Sequence, residues 1–357
     1  MIEKQKETQN LTGELQKYIE SKTRADEFSC AVLVAKNFVP VLEHTCGLAN
    51  KEQQIPNKLE TKFNLGSATK MFTGVAIAQL VEDGKLSFQD SVGKHIPDYP
   101  NQEVATRVTV HHLLTHTSGL GHYLDEKYMA TRKSLRTIDD FVDLFIDEPL
   151  LFEPGSKVSY SGNGFTLLGK IIETVSGQTY YDFVRKNIFE KAGMYDTDSY
   201  EIDPSNLRPD IAVGYTHRLD IAGNMSKGER RDNLWINLIK GESGGGGYST
   251  CPDLLNFSKS LITNQLLSPE ITKIILTSYV NEGTKDGQTK SDGYGFKVWD
   301  INRVKCIGHP GRFAGVNDRF DVFPELGYTV IVLSNYDPPL AFDIAEEATK
   351  LITQYEH

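Results

Sequence analysis

Near both ends of the chain, some segments have apolar residues at helical spacing and others have the apolar runs of strands. Residues 10–21 carry an apolar face at helical spacing, which predicts an amphipathic helix. Residues 30–35 and 39–44 are β-rich runs separated by a turn at Lys36-Asn37, and they predict two strands. The C-terminal part carries the same kinds of element, with predicted strands at 319–323 and 328–333 and a predicted helix at 341–354.

Both ends therefore combine helix with antiparallel strand, and the sequence between them is mostly helical. Isolated hairpins bury too little apolar surface to be stable, so the two ends are expected to share one sheet. We predict an α/β (α+β) protein with a sheet domain formed by residues 1–71 and 241–357 and an inserted helical domain at 72–240. The N- and C-terminal helices would flank the antiparallel sheet. A cleft between two such domains is a favoured place for a small-molecule site.

Composition restricts the partners and the compartment. The 357 residues include 38 Lys plus Arg against 48 Asp plus Glu, and the net charge of −10 argues against nucleic acid or an anionic membrane surface as a partner. We expect no membrane span, because no apolar run approaches the ~18 residues required. The first seven residues do not resemble a signal peptide, and the four cysteines lack CxxC spacing. We therefore predict free thiols and a cytoplasmic protein, or a periplasmic or secreted one if a leader was removed.

Short motifs for nucleophilic chemistry point to a serine–lysine pair. The pattern Ser-x-x-Lys occurs twice, beginning at Ser67 and at Ser91, which is close to what chance would give. The chemistry requires both side chains on one helical face, where residues three apart are neighbours. Ser91 to Lys94 is a poor helix, because it contains Gly93 and runs into Pro97.

The sequence after Ser67, in contrast, predicts a helix that is apolar nearly all round and ends at Asp83-Gly84. Such a helix is buried, and burial favours the uncharged amine that Lys70 would need as a general base. Ser67, at the helix N-terminus, would face the positive end of the helix dipole. From this pair alone, a helix-capping serine with an incidental lysine is an equally good interpretation.

Longer motifs resemble those of the penicillin-recognising serine hydrolases: class C β-lactamases, D-alanyl-D-alanine carboxypeptidases and aminopeptidases, and their esterase relatives. Residues 63–70 (Phe-Asn-Leu-Gly-Ser-Ala-Thr-Lys) resemble the first motif of this family, and 108–120 resemble a structural signature of its class C-like branch. Residues 154–169, which include Tyr160, are similar to the second motif, and His309-Pro310-Gly311 is similar to the third.

The resemblance implies a β-lactamase/transpeptidase-like fold and a catalytic set of Ser67, Lys70 and Tyr160. Tyr160 would shuttle a proton with Lys70 between the nucleophile and the leaving group. The backbone N–H groups of Ser67 and Arg312 would form the oxyanion hole, with Gly311 on the strand that edges the site. No metal and no organic cofactor is implied.

Two departures from the family pattern affect the predicted substrate-binding residues, which are Gly162, Asn163, His309, Gly311 and Arg312. Gly162 stands where the second motif has an asparagine, and Asn163 follows one position later. Asn163 would either swing in as a substitute, or the enzyme would accept substrates without the amide that this asparagine contacts. His309 replaces a lysine and so removes a permanent cation from the carboxylate-binding wall. Both changes argue against β-lactams as natural substrates and favour an esterase or a peptidase with altered specificity.

Two further features have alternative interpretations. His112 and His116 are four residues apart, as zinc ligands on a helix can be, but without the His-Glu-x-x-His pattern a structural role is the better interpretation. Residues 244–247 are four glycines without the Gly-Lys-Ser/Thr ending of a phosphate loop, so a nucleotide site is not expected. A substrate-gating role for these glycines is a hypothesis.

The sequence thus predicts a serine hydrolase that forms an acyl-enzyme on Ser67 with a small-molecule ester, amide or short peptide. An esterase-like activity is favoured over that of a true β-lactamase. Alternatives are a D-amino-acid-specific carboxypeptidase or aminopeptidase, an acyltransferase, a non-catalytic binding protein with the same fold, and a metal-dependent hydrolase using His112 and His116. The oligomeric state is left open.

Overall fold

The computed structural model describes residues 2–23, 28–285, 288–301 and 303–356. Its main sheet contains eight strands: β1 (Cys30–Lys36), β2 (Val39–Cys46), β3 (Val280–Lys285), β4 (Gln288–Asp292), β5 (Lys297–Ile301), β6 (Val304–Phe313), β7 (Val316–Phe323) and β8 (Tyr328–Ser334). Short strands cover Leu48–Asn50, Ile55–Pro56, Phe63–Asn64, Tyr215–Thr216, Arg231–Asp232 and Tyr248–Ser249.

The α-helices are α1 (Ile2–Thr23), α2 (Lys70–Glu82), α3 (Val92–His95), α4 (Gln102–Arg107), α5 (Val110–Leu114), α6 (Glu126–Thr131), α7 (Ile138–Val142), α8 (Gly162–Ser176), α9 (Tyr180–Val184), α10 (Glu190–Ala192), α11 (Cys251–Ile262), α12 (Pro269–Ile275) and α13 (Leu340–Tyr355). A 3-10 turn at Gly66–Thr69 leads directly into α2, and a π-helical turn covers Arg185–Phe189. None of the helices in the described ranges has the length and hydropathy that a membrane span needs.

The two ends of the chain share the main sheet, as predicted. Its strand order is β2-β1-β8-β7-β6-β5-β4-β3, and every neighbouring pair is antiparallel. The N-terminal hairpin thus joins the C-terminal strands through β1 and β8, where Val32 pairs with Val332. The turn between β1 and β2 lies one residue later than predicted, with positive φ angles at Asn37 and Phe38.

Helices cover both faces of this sheet, which explains why strands β1 and β8 are apolar at nearly every position. On β1, Cys30, Val32 and Val34 pack into one core with α1 and α13, whereas Ala31 and Leu33 pack into a second core with α2 and α8. Successive side chains of a strand point to opposite faces, so a strand covered on both sides is apolar throughout. The turn that carries Ser67 and helix α2 lie on the face of the sheet that packs into the second core.

The predicted terminal elements are confirmed, and each extends beyond its predicted bounds. The helix predicted at 10–21 is part of α1, and the one predicted at 341–354 is α13. The sequence interpretation assigned no strands between residues 280 and 301, where β3, β4 and β5 complete the far edge of the sheet. The four cysteines are free thiols, as predicted, and the Sγ atoms of Cys30 and Cys46 lie 3.3 Å apart on paired strands.

The predicted division into a sheet domain and a helical domain stays a prediction. Residues 1 and 357, which bound it, lie outside the described residues. Ile211 and Tyr215, which fall in the predicted helical domain, form bridges to Lys62 and Tyr336 of the predicted sheet domain. The inserted segment therefore returns to the sheet well before its predicted end.

Candidate active site

Ser67 lies in the 3-10 turn one residue after Gly66, at the start of the buried helix α2. Its hydroxyl oxygen accepts a hydrogen bond of 2.6 Å from the Tyr160 hydroxyl, and the Lys70 amine lies 3.5 Å from it. Ser67 is half-buried and Tyr160 is exposed, whereas Lys70 is only 1% exposed. The structure thus brings the three predicted catalytic side chains together, and Ser67 and Lys70 line a pocket.

The second Ser-x-x-Lys pattern has no such arrangement. Ser91 precedes the short helix α3, and Lys94 is an exposed side chain that forms an ion pair of 2.6 Å with Asp90. In contrast, 11 residues of α2, among them Lys70, are buried. The local context that favoured Ser67 is therefore present in the structure.

The glycine run at 244–247 forms the wall next to Lys70. The Lys70 amine donates a hydrogen bond to the carbonyl of Gly244. Gly246 N–H donates to the Gly66 carbonyl (3.1 Å), and Gly247 N–H donates to the Thr69 hydroxyl (3.0 Å). These bonds hold the run against the nucleophile turn. The proposed gating role of the glycines stays a hypothesis.

Tyr160 is held from behind by His116. The two rings stack at a tilt with centroids 4.4 Å apart. Ser159 N–H donates to the His116 carbonyl (2.9 Å), and Ser161 N–H donates to the His116 ring (3.2 Å). Burial, with the charges of Lys297 and Lys70, holds the pKa of His116 well below its ordinary value. A neutral ring nitrogen can accept the hydrogen bond from Ser161 N–H. His116 thus orients Tyr160 by binding the two residues that flank it, Ser159 and Ser161.

His112 has a different structural role. Its ring accepts the Thr109 N–H at 3.3 Å, while the Thr109 hydroxyl accepts the His112 N–H at 3.2 Å. This reciprocal pair caps the N-terminus of α5. The two histidines thus have the structural contacts that the preferred interpretation assigned to them.

Strand β6 edges the pocket and passes very close to the nucleophile turn. A Cβ atom on Gly311 would lie 2.2 Å from the Leu65 carbonyl, and one on Gly66 would lie 3.0 Å from Arg312 N. Only glycines permit this approach, which places the backbone of Arg312 beside that of Ser67. The oxyanion hole of Ser67 and Arg312 stays a prediction. The Arg312 side chain lines the pocket and is exposed.

His309 is buried on β6, and its ring bonds the Pro310 carbonyl at 2.7 Å. Burial, Lys297 and Lys70 hold the pKa of His309 well below its ordinary value, so the ring is neutral at pH 7. Lys297, which sequence reasoning missed, lies 5.8 Å from the Tyr160 ring centroid. It forms ion pairs with Asp292 and Glu282. Its charge is thus compensated, and His309 supplies no cation to the pocket wall.

Gly162 and Asn163 form the first turn of α8, after the N-cap Ser161. Asn163 is fully buried, and its amide nitrogen donates to Glu148 at 3.4 Å. The N-cap fixes the register of α8 and turns the Asn163 side chain into the protein, and the substrate contact of Asn163 stays a prediction. Gly162 lines the pocket.

Among the pocket residues that the sequence interpretation missed are a histidine and a buried glutamate. His122 follows the 108–120 signature and lines the pocket beside Gly162. Glu242 is 1% exposed, and its carboxylate accepts bonds from Gly244 N–H (2.6 Å), the Thr166 hydroxyl (3.0 Å) and the Tyr123 hydroxyl (3.1 Å). Burial raises the pKa of Glu242, although the Gly244 N–H and Lys70 oppose this. No spacing in the sequence relates either residue to Ser67.

A family model described as Beta-lactamase matches residues 15–354. The chain belongs to the beta-lactamase family. A penicillin-binding protein of Bacillus subtilis is 29% identical over 344 residues, covering 94% of this chain and 74% of that protein. The predicted family and fold are thereby confirmed.

Solved structures agree with this assignment. The crystal structure of a penicillin-binding protein from Bacillus halodurans is 30% identical, with a TM-score of 0.79, and the match covers 94% of this chain and 99% of that one. A D-amino acid amidase from Ochrobactrum anthropi is 22% identical with a TM-score of 0.80, covering 97% and 99% of the two chains. The amidase shares the fold.

Proposed function

We propose that this member of the beta-lactamase family is a serine hydrolase that forms an acyl-enzyme on Ser67. The observation that carries this proposal is the convergence of the Tyr160 hydroxyl and the Lys70 amine on the Ser67 hydroxyl in an open pocket. A serine hydroxyl is a weak nucleophile until an adjacent base takes its proton. The pocket supplies two groups that can do so.

In the acylation step, Ser67 Oγ attacks the carbonyl carbon of the substrate. Lys70 and Tyr160 take the serine proton, and the bond to the Gly244 carbonyl holds the Lys70 amine in place. The backbone N–H groups of Ser67 and Arg312 stabilise the oxyanion. Tyr160 passes the proton to the leaving alcohol or amine, and a water molecule then releases the acyl group by the same path.

For the substrate, we propose small-molecule esters in preference to β-lactams. His309 supplies no cation at the position of the third-motif lysine, and the charge of Lys297 is compensated by two carboxylates. The cation of β6 that lines the pocket is Arg312, three residues further along the strand. Short peptides and D-amino-acid amides are the second candidate class, as the name of the structurally similar amidase suggests. A panel of nitrophenyl esters, D-alanyl peptides and a chromogenic cephalosporin tests this ranking. Faster cephalosporin cleavage than ester cleavage would contradict it.

Covalent labelling by a fluorophosphonate tests the nucleophile. Wild-type protein is expected to gain one label by intact mass, and Ser67→Ala is expected to gain none. Ser91→Ala is the matched control, because it removes the serine of the second Ser-x-x-Lys pattern and should be labelled like the wild type. Labelling of Ser67→Ala at another serine would disprove the assignment, and a wild-type protein that resists labelling would favour a non-catalytic binding protein.

A further inference from the structure

The ring of His122 fills the space that a side chain at position 162 would need. A Cβ atom built on Gly162 would lie 2.8 Å from His122 Cε1, 2.9 Å from Nε2 and 3.2 Å from Nδ1. These distances are shorter than van der Waals contact. Gly162 therefore leaves an opening in the pocket wall, and an imidazole from a different segment of the chain enters it.

Both chain neighbours of His122 are held by hydrogen bonds. The Ser161 hydroxyl donates a hydrogen bond of 2.8 Å to the carbonyl of Gly121, and the Tyr123 hydroxyl donates to Glu242 at 3.1 Å. Ser161 is also the N-cap of α8, since its hydroxyl accepts the Gly164 N–H. The segment that carries His122 is thus tied to the same residues that position Tyr160 and Lys70.

The imidazole is neutral and available to a ligand. Desolvation in the pocket, together with the charge of Lys70, lowers the pKa of His122 to about 4. Although surrounded by protein, the residue keeps an exposed surface toward the pocket. Within the described part of the chain, no hydrogen bond engages either of its ring nitrogens. A neutral imidazole offers one N–H donor and one acceptor, which match the carbonyl and N–H of an amide.

We infer that His122 is a substrate-contacting residue that selects acyl groups with an amide next to the scissile carbonyl, such as N-acylated amino-acid esters. This inference rests on the proposed acyl-enzyme function of Ser67. It names the chemical class of the acyl group and adds a specificity residue that the sequence motifs do not contain. In this arrangement, His122 supplies the polar contact that Gly162 cannot make.

The test compares two nitrophenyl esters, the butyrate and the N-acetylalanine ester in both D and L forms. Wild-type protein is expected to have a higher kcat/KM for one enantiomer of the N-acetylalanine ester than for the butyrate. His122→Phe keeps an aromatic ring in place and removes both nitrogens. It should lower kcat/KM for that ester about tenfold more than for the butyrate. This factor corresponds to the loss of one neutral hydrogen bond. Circular dichroism and fluorophosphonate labelling verify that the variant is folded.

A second pair of variants tests whether a side chain at position 162 can replace that of His122. His122→Ala removes the polar contact and vacates the space, and Gly162→Asn in the same chain places an amide there. The double variant is expected to recover the preference for the N-acetylalanine ester that His122→Ala loses. A preference that is absent from the wild type, or an equal effect of His122→Phe on both esters, would overturn the inference. Failure of the proposed function looks different, because then neither ester is cleaved and Ser67 is not labelled.

Discussion

At the scale of single residues, Tyr160 is the group on which proton transfer depends most directly. Its hydroxyl lies 2.6 Å from Ser67 Oγ, which is shorter than the 3.5 Å from the Lys70 amine. Tyr160 is also 42% exposed, so its hydroxyl can pass a proton from the nucleophile to a leaving group in the open pocket. Lys70, in contrast, is buried and bonded to Gly244, which suits a fixed base.

We therefore expect Tyr160→Phe to lower kcat for a nitrophenyl ester by about 10²–10⁴-fold, the range that general acid–base catalysis contributes. The ring stays in place against His116, so the thermal midpoint should change little. Tyr195→Phe is the control, because Tyr195 is 79% exposed and the same hydroxyl is removed outside the pocket. Full activity in Tyr160→Phe would show that Lys70 alone carries the proton.

At the scale of secondary structure elements, the pocket depends on backbones that approach each other at glycines. Helix α2 presents Gly74 to the turn between β4 and β5, and a Cβ atom there would lie 2.3 Å from the Tyr294 carbonyl. Lys70 stands one turn earlier on the same helix. The close approach thus sets how deeply the start of α2, and with it the amine of Lys70, lies in the protein.

Gly74→Ala is expected to lower the free energy of unfolding by about 1–3 kcal/mol, because the added methyl group meets backbone rather than a movable side chain. Gly13→Ala is the matched control: Gly13 is exposed in α1, and nothing lies within 4 Å of its added Cβ atom. Alanine should raise stability there by about 0.5–1 kcal/mol. Urea denaturation measures both. Equal stability of the two variants would contradict this account of α2 packing.

At the scale of the whole molecule, sequence patterns predicted the terminal helices, strands β1, β2, β7 and β8 and the candidate nucleophile, because each leaves a local signal. The apolar spacing of α13 and the all-round apolar α2 are examples. Strands β3 and β4 left none, since they lie at the sheet edge and are mostly polar. His122 and Glu242 are brought to Ser67 by the tertiary fold alone. The motif did not predict the burial of Asn163, because the cap at Ser161 decides which way the first turn of α8 faces.

The same tertiary fold buries histidines, and this gives stability a distinct pH dependence. Burial and nearby lysines depress the pKa of His309, so the folded state keeps it neutral at a pH where the unfolded chain protonates it. Between the ordinary histidine pKa and pH 5, the unfolded state therefore binds more protons, and stability falls as the pH falls. Buried carboxyls with raised pKa values, such as those of Asp318 and Glu242, act in the opposite direction.

A comparison with His309→Asn isolates the contribution of one histidine, because the carboxyl groups are common to both proteins. We expect the variant to lose less stability than the wild type between pH 7 and pH 5, by up to about 1.4 kcal/mol for each pH unit below the ordinary histidine pKa. Urea denaturation at several pH values measures this difference. The slope separates titration from packing, since a merely disturbed core would lower stability equally at every pH. Parallel stability curves for the two proteins would show that His309 is protonated in the folded state as readily as in the unfolded chain.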